Sequence, residues 1–573
     1  MKRLMLTNEA VARGAYEAGV KVVSSYPGTP STEITEFISK YDDIYSEWAP
    51  NEKVACEVAV GASIAGVRSM CCMKHVGVNV AADPLFTAAY TGVGRGMVLV
   101  VADDPAMHSS QNEQDSRFYA RSAHVPMLEP SDSQEAKDFV KRAYEISEEY
   151  DTPVMLRLTT RIAHSQSVVE LKDREEVEDK HFEKNIQKYV MMPQFARKRH
   201  VYVEERENKL AKDANTIDLN RVEMRSTKLG IVCAGAVYQY VKEATDASIF
   251  KLGLVYPIPL DTIKEFASKV DELMVVEELE PFFENQLKAN GIKCSGKALF
   301  GKQGEYSTAY IRNKLYGDEI ITSQVNVPMR PPVMCAGCPH RGVFYILKKL
   351  GIVVSGDIGC YTLGAQAPLS ALDACVCMGA SIGMAHGFDK AKSIHARKLV
   401  AVIGDSTFVH SGITNVINAV YNQGTSTTII LDNSITGMTG HQQNPATGKT
   451  LKGEPTNKLD LEALLKAIGV NNVVVVDAYD LKEVERVIKE ETAREEVSVI
   501  IARRPCVLLT KKYPPAFSIN DNCKNCKACL KIGCPAIENI GGKIRINKEL
   551  CVACGVCKQL CKFSAIEEGS KNA

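Results

Sequence analysis

Gly404-Asp405-Ser406 is followed, after 26 residues, by Asn433. The tripeptide lies between two apolar, β-branched runs, Leu399 to Ile403 and Thr427 to Leu431, with a helical pattern between them. A strand ending in Gly-Asp-Ser at the carboxyl edge of a parallel sheet places one carboxylate where a hard divalent cation can bridge it to a diphosphate. Mg²⁺ takes an octahedral oxygen shell and keeps phosphate oxygens in it. The Asn433 amide and the main-chain carbonyl of Ile435 are the candidate remaining ligands.

The cysteines suggest a second chemistry. Of 19, eight fall in Cys-x-x-Cys steps, the pattern of metal or iron-sulfur ligands in a reducing compartment more than of a disulfide framework. Cys523, Cys526, Cys529 and Cys534 are followed by Pro535, and then come Cys551, Cys554, Cys557 and Cys561. Two runs of three at two-residue gaps, each with a distal fourth, describe a two-cluster bacterial-type ferredoxin module in which the fourth cysteine crosses to the other cluster. Cys523, Cys526, Cys529 and Cys561 are expected to hold one [4Fe-4S] cluster, and Cys551, Cys554, Cys557 and Cys534 the other. The first run has one residue more before its distal cysteine than the usual spacing, which implies a bulge. Structural zinc does not account for eight such residues.

The elements that must position these groups are legible as segments. Residues 1–165 alternate β-type runs (Lys21 to Ser25, Met97 to Val101, Val154 to Leu158) with helical stretches, which predicts a parallel α/β domain. Residues 166–226 mix both charge signs with weak apolar spacing and read as a charged, helical linker. A second, small α/β domain is expected over 227–330, the Gly404 and Asn433 segment within 331–510, and the cysteine-rich tail over 511–573. With 45% hydrophobic residues, 24% charged and a net charge of zero, nothing favours nucleic acid or membrane as a partner. No apolar run approaches the length of a membrane span, and the chain is expected to be cytoplasmic.

Gly404-Asp405-Ser406 with Asn433 resembles the thiamine diphosphate (ThDP) and magnesium motif of ThDP-dependent enzymes, Ser406 standing where the common form has glycine. In those enzymes a glutamate nine residues ahead of a helix glycine activates the aminopyrimidine. Glu52, nine before Gly61, has that spacing, and Glu57, nine before Gly66, is its rival. Tyr26-Pro27-Gly28-Thr29-Pro30-Ser31-Thr32 is similar to the substrate loop of 2-oxoacid:ferredoxin oxidoreductases, which assigns substrate contact to Thr29, while Ser31 or Thr32 can cap the following helix. Lys74-His75-Val76-Gly77-Val78-Asn79 falls where related enzymes have a loop near the cofactor, making His75 and Asn79 candidates. Arg117 or Arg121 could clamp a substrate carboxylate. The helix start at Gly379-Ala380-Ser381 could meet the diphosphate through main-chain N–H groups.

Cys335 and Cys338 need two more thiolates for a cluster. The resemblance supplies Cys360 and Cys506, at positions where family members with a cluster beside ThDP have cysteine, with zinc the alternative for an isolated Cys-x-x-Cys. The domain order implied is pyrimidine-type ThDP domain, small transketolase-C-terminal-like domain, diphosphate-type domain and ferredoxin domain. With NEKVA, GASIAG, KHVGVN, CAGCPHRG and GDSTF, it looks like the large (alpha) subunit type of the indolepyruvate branch of this family. The implied reaction is oxidation of an aryl 2-oxo acid with coenzyme A to an aryl-acetyl-CoA and carbon dioxide, two electrons passing to ferredoxin. The implied partner is a small beta subunit, in a heterodimer or a dimer of heterodimers. The same chemistry on pyruvate, a non-oxidative ThDP decarboxylase and a non-catalytic electron-transfer subunit are the alternatives.

Overall fold

The computed structural model describes residues 1–321, 327–328, 330–392 and 398–569. The chain divides into two compact units, Met1–Val325 and Asn326–Ala573. No helix among the described residues is long and apolar enough to cross a membrane.

The first unit is built on a seven-stranded sheet. Six of its strands, in chain order after an outlying β1 (Lys2–Leu6), are β2 (Val22–Ser25), β3 (Tyr45–Trp48), β4 (Ser69–Lys74), β5 (Met97–Asp103), β6 (Met127–Leu128) and β7 (Val154–Thr159). All pair in parallel. β5 shows why: every residue of Met-Val-Leu-Val-Val-Ala-Asp is buried, as expected for a strand covered on both faces. Met97, Leu99 and Val101 enter one apolar core, while Val98, Val100 and Ala102 enter the other. Helices α1 (Thr7–Glu17), α2 (Thr32–Ile38), α3 (Glu52–Ile64) and α4 (His75–Thr91) connect the early strands. The order β6-β7-β5-β4-β2-β3 reverses direction between β4 and β2. That switch point is where loops leave the carboxyl edge in opposite directions and open a crevice.

Residues 166–226 are docked on this unit over much of their length. β8 (Gln166–Glu170) pairs antiparallel with β1. The helix α5 (Pro193–Asp213) buries Val203 and Leu210, and its Arg206 donates to the carbonyls of Ala89 and Asp151, both at 3.0 Å. A second sheet carries β9 (Arg221–Glu223), β10 (Leu229–Ala234), β11 (Ser248–Leu252) and β13 (Glu272–Val275), in the order β13-β10-β11-β9. Between β11 and β13, β12 (Leu254–Tyr256) crosses over and joins the first sheet antiparallel to β6. Val232, Phe250 and Phe266 share a core with Leu99 and Val101, so the two sheets are one folded body.

Arg117 lies in that seam. Its side chain is 2% exposed and pairs with Asp115 and Glu277, each at 2.6 Å. It also donates to the carbonyls of Glu278 and Glu280 at 3.1 Å. Arg157 beside it pairs with Asp103 and Glu129, each at 2.7 Å. The reading of Arg117 as a substrate clamp is therefore corrected: its donors are consumed by the joint between the two sheets.

The second unit holds a five-stranded parallel sheet, β14 (Val353–Ser355), β15 (Leu399–Gly404), β16 (Thr427–Asp432), β17 (Asn472–Asp477) and β18 (Ser498–Arg503), ordered β14-β15-β16-β18-β17. The cysteine-rich tail adds two small antiparallel ladders, β19 (Ser518–Ile519) with β22 (Ile566–Glu567) and β20 (Ile537–Ile540) with β21 (Lys543–Ile546). Ile532, Ile537, Ile544 and Val556 of the tail share a core with Phe344, Leu347 and Val484. The tail is thus a docked part of the unit.

Arg117→Met should destabilise the seam by about 3–5 kcal/mol, because it leaves two buried carboxylates without their cation. Hydrogen exchange checks this: amides of β10 and β13 should exchange faster than in the wild type, while those of β15 and β16 should not change.

Candidate active site

In the first unit the candidate residues gather at the switch point. Glu52 opens α3, where Asn51 caps the helix by accepting from Val54 N at 3.0 Å. It is 5% exposed, and a Cβ on Gly77 would come within 2.7 Å of its Oε1. Gly77, in the first turn of α4, is therefore small so that the Glu52 carboxyl can lie against that turn. Glu57 is exposed and ion-paired with Lys53, which leaves Glu52 as the buried member of the pair of candidates.

Thr29 sits half-buried in the loop after β2, next to a cis Thr29-Pro30 peptide. Asn8 holds this loop by donating to Pro30 O at 2.7 Å and to Glu33 at 3.0 Å. Ser31 occupies the cap position of α2, but its hydroxyl turns back to Gly28 O at 2.8 Å and makes no cap hydrogen bond. His75, fully buried at the start of α4, meets Asn112 O through Nε2 at 3.2 Å, and burial holds its pKa below the ordinary value. Asn79 accepts from the Tyr119 hydroxyl at 2.5 Å, and Arg121 is exposed.

In the second unit, Gly404 pairs with Leu431 in the β15–β16 register, so Asp405 and Asn433 leave neighbouring strands at the same edge. Asp405 is 2% exposed and its Oδ2 has no hydrogen-bond partner. Burial, reinforced by the Asp432 carboxylate, pushes its carboxyl up to about 8. Such a group is a misfit without a cation and well suited with one. Asn433 Oδ1 accepts from Ile435 N at 3.2 Å, and its Nδ2 reaches within 3.5 Å of His340 Nε2. Burial pushes His340 down to about 4, so the neutral ring can accept there and steady the amide. Ile435 is itself buried, and the Ser406 hydroxyl accepts from Thr436 at 2.9 Å. These groups fit a hard cation with a diphosphate.

Gly379 behaves differently from its expected role. Its N–H donates to Asp357 Oδ1 at 2.8 Å and that of Ser381 to Oδ2 at 2.9 Å. The donors offered to a diphosphate are thus already satisfied, a correction the sequence could not signal because Asp357 lies far away in the chain. A Cβ at Gly379, where φ is +84°, would also strike the Ser411 side chain at 2.4 Å.

The cysteines cluster by cavity. Cys523, Cys526, Cys529 and Cys561 line one, and Cys534, Cys551, Cys554 and Cys557 line another. These are the two crossed sets implied by the spacing. The extra residue of the first run is taken up in the turn ending at Gly533, whose φ is +69° and which packs against Pro368. Cys335, Cys338, Cys360 and Cys506 form a third neighbourhood: Cys338 interacts electrostatically with Cys335 and Cys360, and Cys506 with Cys335 and Asp405. Burial lifts Cys338 to about 12 and Cys360 to about 11, so these thiols carry a negative charge only beside a metal centre. Among the described residues no three His, Cys, Asp or Glu groups converge on a single-ion site.

Two residues that sequence reasoning missed tie this edge together. Arg341, buried, donates to Cys335 O at 3.0 Å, to Gly533 O at 2.6 Å and to Met334 O. The Tyr479 hydroxyl donates to Gly337 O at 2.5 Å, and Gln559 of the tail donates to Tyr479 O at 2.7 Å. The Cys335–Cys338 loop is thereby bound to the tail. Arg341 stands in plain view in Cys-Pro-His-Arg, but its acceptors are main-chain carbonyls, which leave no mark in sequence.

Residues 13–228 match the family described as pyruvate flavodoxin/ferredoxin oxidoreductase, thiamine diphosphate-binding. Residues 357–502 match the C-terminal thiamine pyrophosphate-binding domain of thiamine pyrophosphate enzymes, and 544–567 the 4Fe-4S binding domain. Fold, site and matches define a thiamine diphosphate-dependent 2-oxoacid:ferredoxin oxidoreductase with iron-sulfur clusters. The indolepyruvate oxidoreductase subunit IorA of Archaeoglobus fulgidus is 39% identical over 621 residues, covering 100% of this chain and 98% of its own. Those of Pyrococcus horikoshii and Methanothermobacter marburgensis are each 40% identical, covering 99% of this chain and 97% of theirs. The chain belongs to the indolepyruvate oxidoreductase subunit IorA family. The resemblance read from the sequence and the α/β fold class with its ferredoxin tail are borne out.

Two outcomes follow from this geometry. Cys506→Ser should lower the iron content of anaerobically purified protein by about four atoms per chain, and an unchanged count would remove Cys506 from the ligands. Asp405→Asn should abolish Mg²⁺-dependent retention of thiamine diphosphate while raising the unfolding temperature of the cofactor-free chain, since a buried carboxyl without a partner is replaced by a neutral amide.

Proposed function

We propose that this chain is the large, catalytic subunit of an enzyme that oxidises aryl 2-oxo acids, indolepyruvate among them. With coenzyme A and two oxidised ferredoxins, it would yield an aryl-acetyl-CoA, carbon dioxide, two reduced ferredoxins and a proton. The observation that carries this reading is one hydrogen bond: Cys506 N donates to Asn433 O at 2.9 Å. A candidate cluster ligand and a candidate cation ligand are thus neighbours at one sheet edge, which supports electron transfer directly out of the carbon chemistry. The name shared by the relatives supports the aryl substrate and, through the word subunit, a smaller beta partner, in a heterodimer or a dimer of heterodimers.

Bound thiamine diphosphate would supply a nucleophilic carbon and an electron sink for carbon–carbon cleavage. The protein does the rest. Asp405, the Asn433 amide and the Ile435 carbonyl would hold Mg²⁺, with Asp432 adding negative potential. The Glu52 carboxylate, sheltered against Gly77, would exchange a proton with the aminopyrimidine. Thr29 would orient the substrate, and buried His75 would shape the wall beside it. Cys335, Cys338, Cys360 and Cys506 would hold the cluster nearest the reaction. The two tail sets would carry electrons outward to ferredoxin, since closely spaced centres keep each transfer short.

The decisive experiment is anaerobic, coenzyme A-dependent reduction of a viologen dye by the chain with its partner subunit, comparing indolepyruvate, phenylpyruvate and pyruvate. The aryl acids should be strongly preferred; activity with pyruvate alone would overturn the substrate assignment. Glu52→Gln should lower kcat by about 10²–10⁴-fold with iron content unchanged; wild-type rates would instead favour a non-catalytic electron-transfer role.

A further inference from the structure

Three lysines of the first unit are buried: Lys74 at 7% exposure, Lys137 at 2% and Lys251 at 1%. Lys137 pairs with Glu17 at 2.8 Å and Lys251 with Glu135 at 2.5 Å, the usual arrangement for a cation taken out of water. Lys74 is different. Its Nζ donates to the carbonyl of Ser109 at 2.5 Å and to the Ser109 hydroxyl at 3.4 Å, both neutral oxygens, and it forms no ion pair among the described residues. Burial pushes its pKa down to about 8, and Asp104, which acts at a distance, pulls it back up. The oxygens of Asp104 are already engaged by Ser109 N at 2.8 Å, Ser110 at 2.5 Å and Thr160 at 2.7 Å. An ammonium carries three donors, and among the described residues Ser109 alone supplies its acceptors.

The position of this ammonium gives it meaning. Lys74 ends β4 at the switch point and immediately precedes α4, whose Gly77 faces Glu52. On its other side a Cβ at Gly28 would meet Lys74 Cβ at 3.1 Å, so the substrate-type loop rides directly on the lysine stem. The Ser109 hydroxyl also donates to Thr29 O at 3.3 Å, so a single residue links the ammonium to Thr29. We propose that Lys74 binds the carboxylate of the 2-oxo acid, beside Thr29, and that this contact makes the enzyme specific for acids. The proposal rests on the 2-oxo acid chemistry given above. An anion entering here supplies the charge partner that the fold withholds. The same carboxylate leaves as carbon dioxide, so the contact is no stronger in the transition state than in the bound substrate, and its loss appears in KM before kcat.

The test uses the cofactor-loaded complex of the chain with its partner subunit, carrying Lys74, Lys74→Arg or Lys74→Met. KM for phenylpyruvate is measured by viologen reduction, and phenylpyruvamide, which lacks the anionic carboxylate, is measured as a competitive inhibitor. Lys74→Met should raise KM by about 10- to 100-fold, with kcat within a few-fold and amide inhibition unchanged. Lys74→Arg, which keeps the charge, should recover part of the preference for acid over amide. Iron and thiamine diphosphate contents equal to wild type certify the fold; where Lys74→Met lacks them, Lys74→Gln takes its place. An unchanged KM, or equal weakening of acid and amide, overturns the proposal and leaves the parent reading intact. A wild-type complex that oxidises no 2-oxo acid overturns both.

Discussion

A carboxylate sealed from water with one oxygen unpartnered, and a second carboxylate beside it, is a standing cost in a folded chain. Asp405 and Asp432 impose that cost at the ends of two adjacent parallel strands. The surroundings relieve only one of them. Arg503 takes Asp432 Oδ2 at 2.8 Å, and Ser434 N takes its Oδ1 at 3.2 Å, while Asp405 Oδ2 is left open. Everything else at that edge follows from keeping this oxygen available. Asn433 is steadied by a neutral His340, Asp357 ties off the helix start at Gly379, and Cys360 and Cys506 leave the flanking strands β14 and β18. Stability is given up locally so that binding can restore it.

The first unit solves a different problem with the same sheet edge. Its three candidate groups arise from consecutive strand ends, Thr29 after β2, Glu52 after β3 and His75 after β4. Parallel strands bring such ends to one side by necessity. Small residues then set how closely they approach: Gly28 lets the substrate-type loop sit on Lys74, and Gly77 admits the Glu52 carboxyl. The buried Arg117–Glu277 pair ties the second sheet to the first, and the Arg157 pairs with Asp103 and Glu129 brace the first sheet beside it.

What the sequence revealed divides along one physical line. Groups fixed by short-range spacing were legible: the cysteine sets that line two separate cavities and the strand ends at Ser25 and Gly404. Groups whose state depends on a distant partner were not. Arg117 looked like an arginine on a polar loop until Glu277, from the second sheet, was found against it. Gly379 looked free until Asp357 was found across from it. Lys74 drew no notice of its own, because the telling feature is a missing carboxylate, and absence has no motif. The docking of residues 166–226 was hidden by the mixed charge of α5, which buries one narrow stripe containing Val203 and Leu210.

The tail packs Ile532, Ile537, Ile544 and Val556 into the core that also holds Phe344 and Leu347. On the ribosome the chain emerges from its amino end, so the sheet that carries Asp405 is synthesised well before the residues that finish its core. Completion of that core waits for the segment that holds Ile532 to Val556. The same packing fixes the tail and its two cysteine sets to the body of the second unit, so these groups hold one position relative to the sheet that carries Asp405.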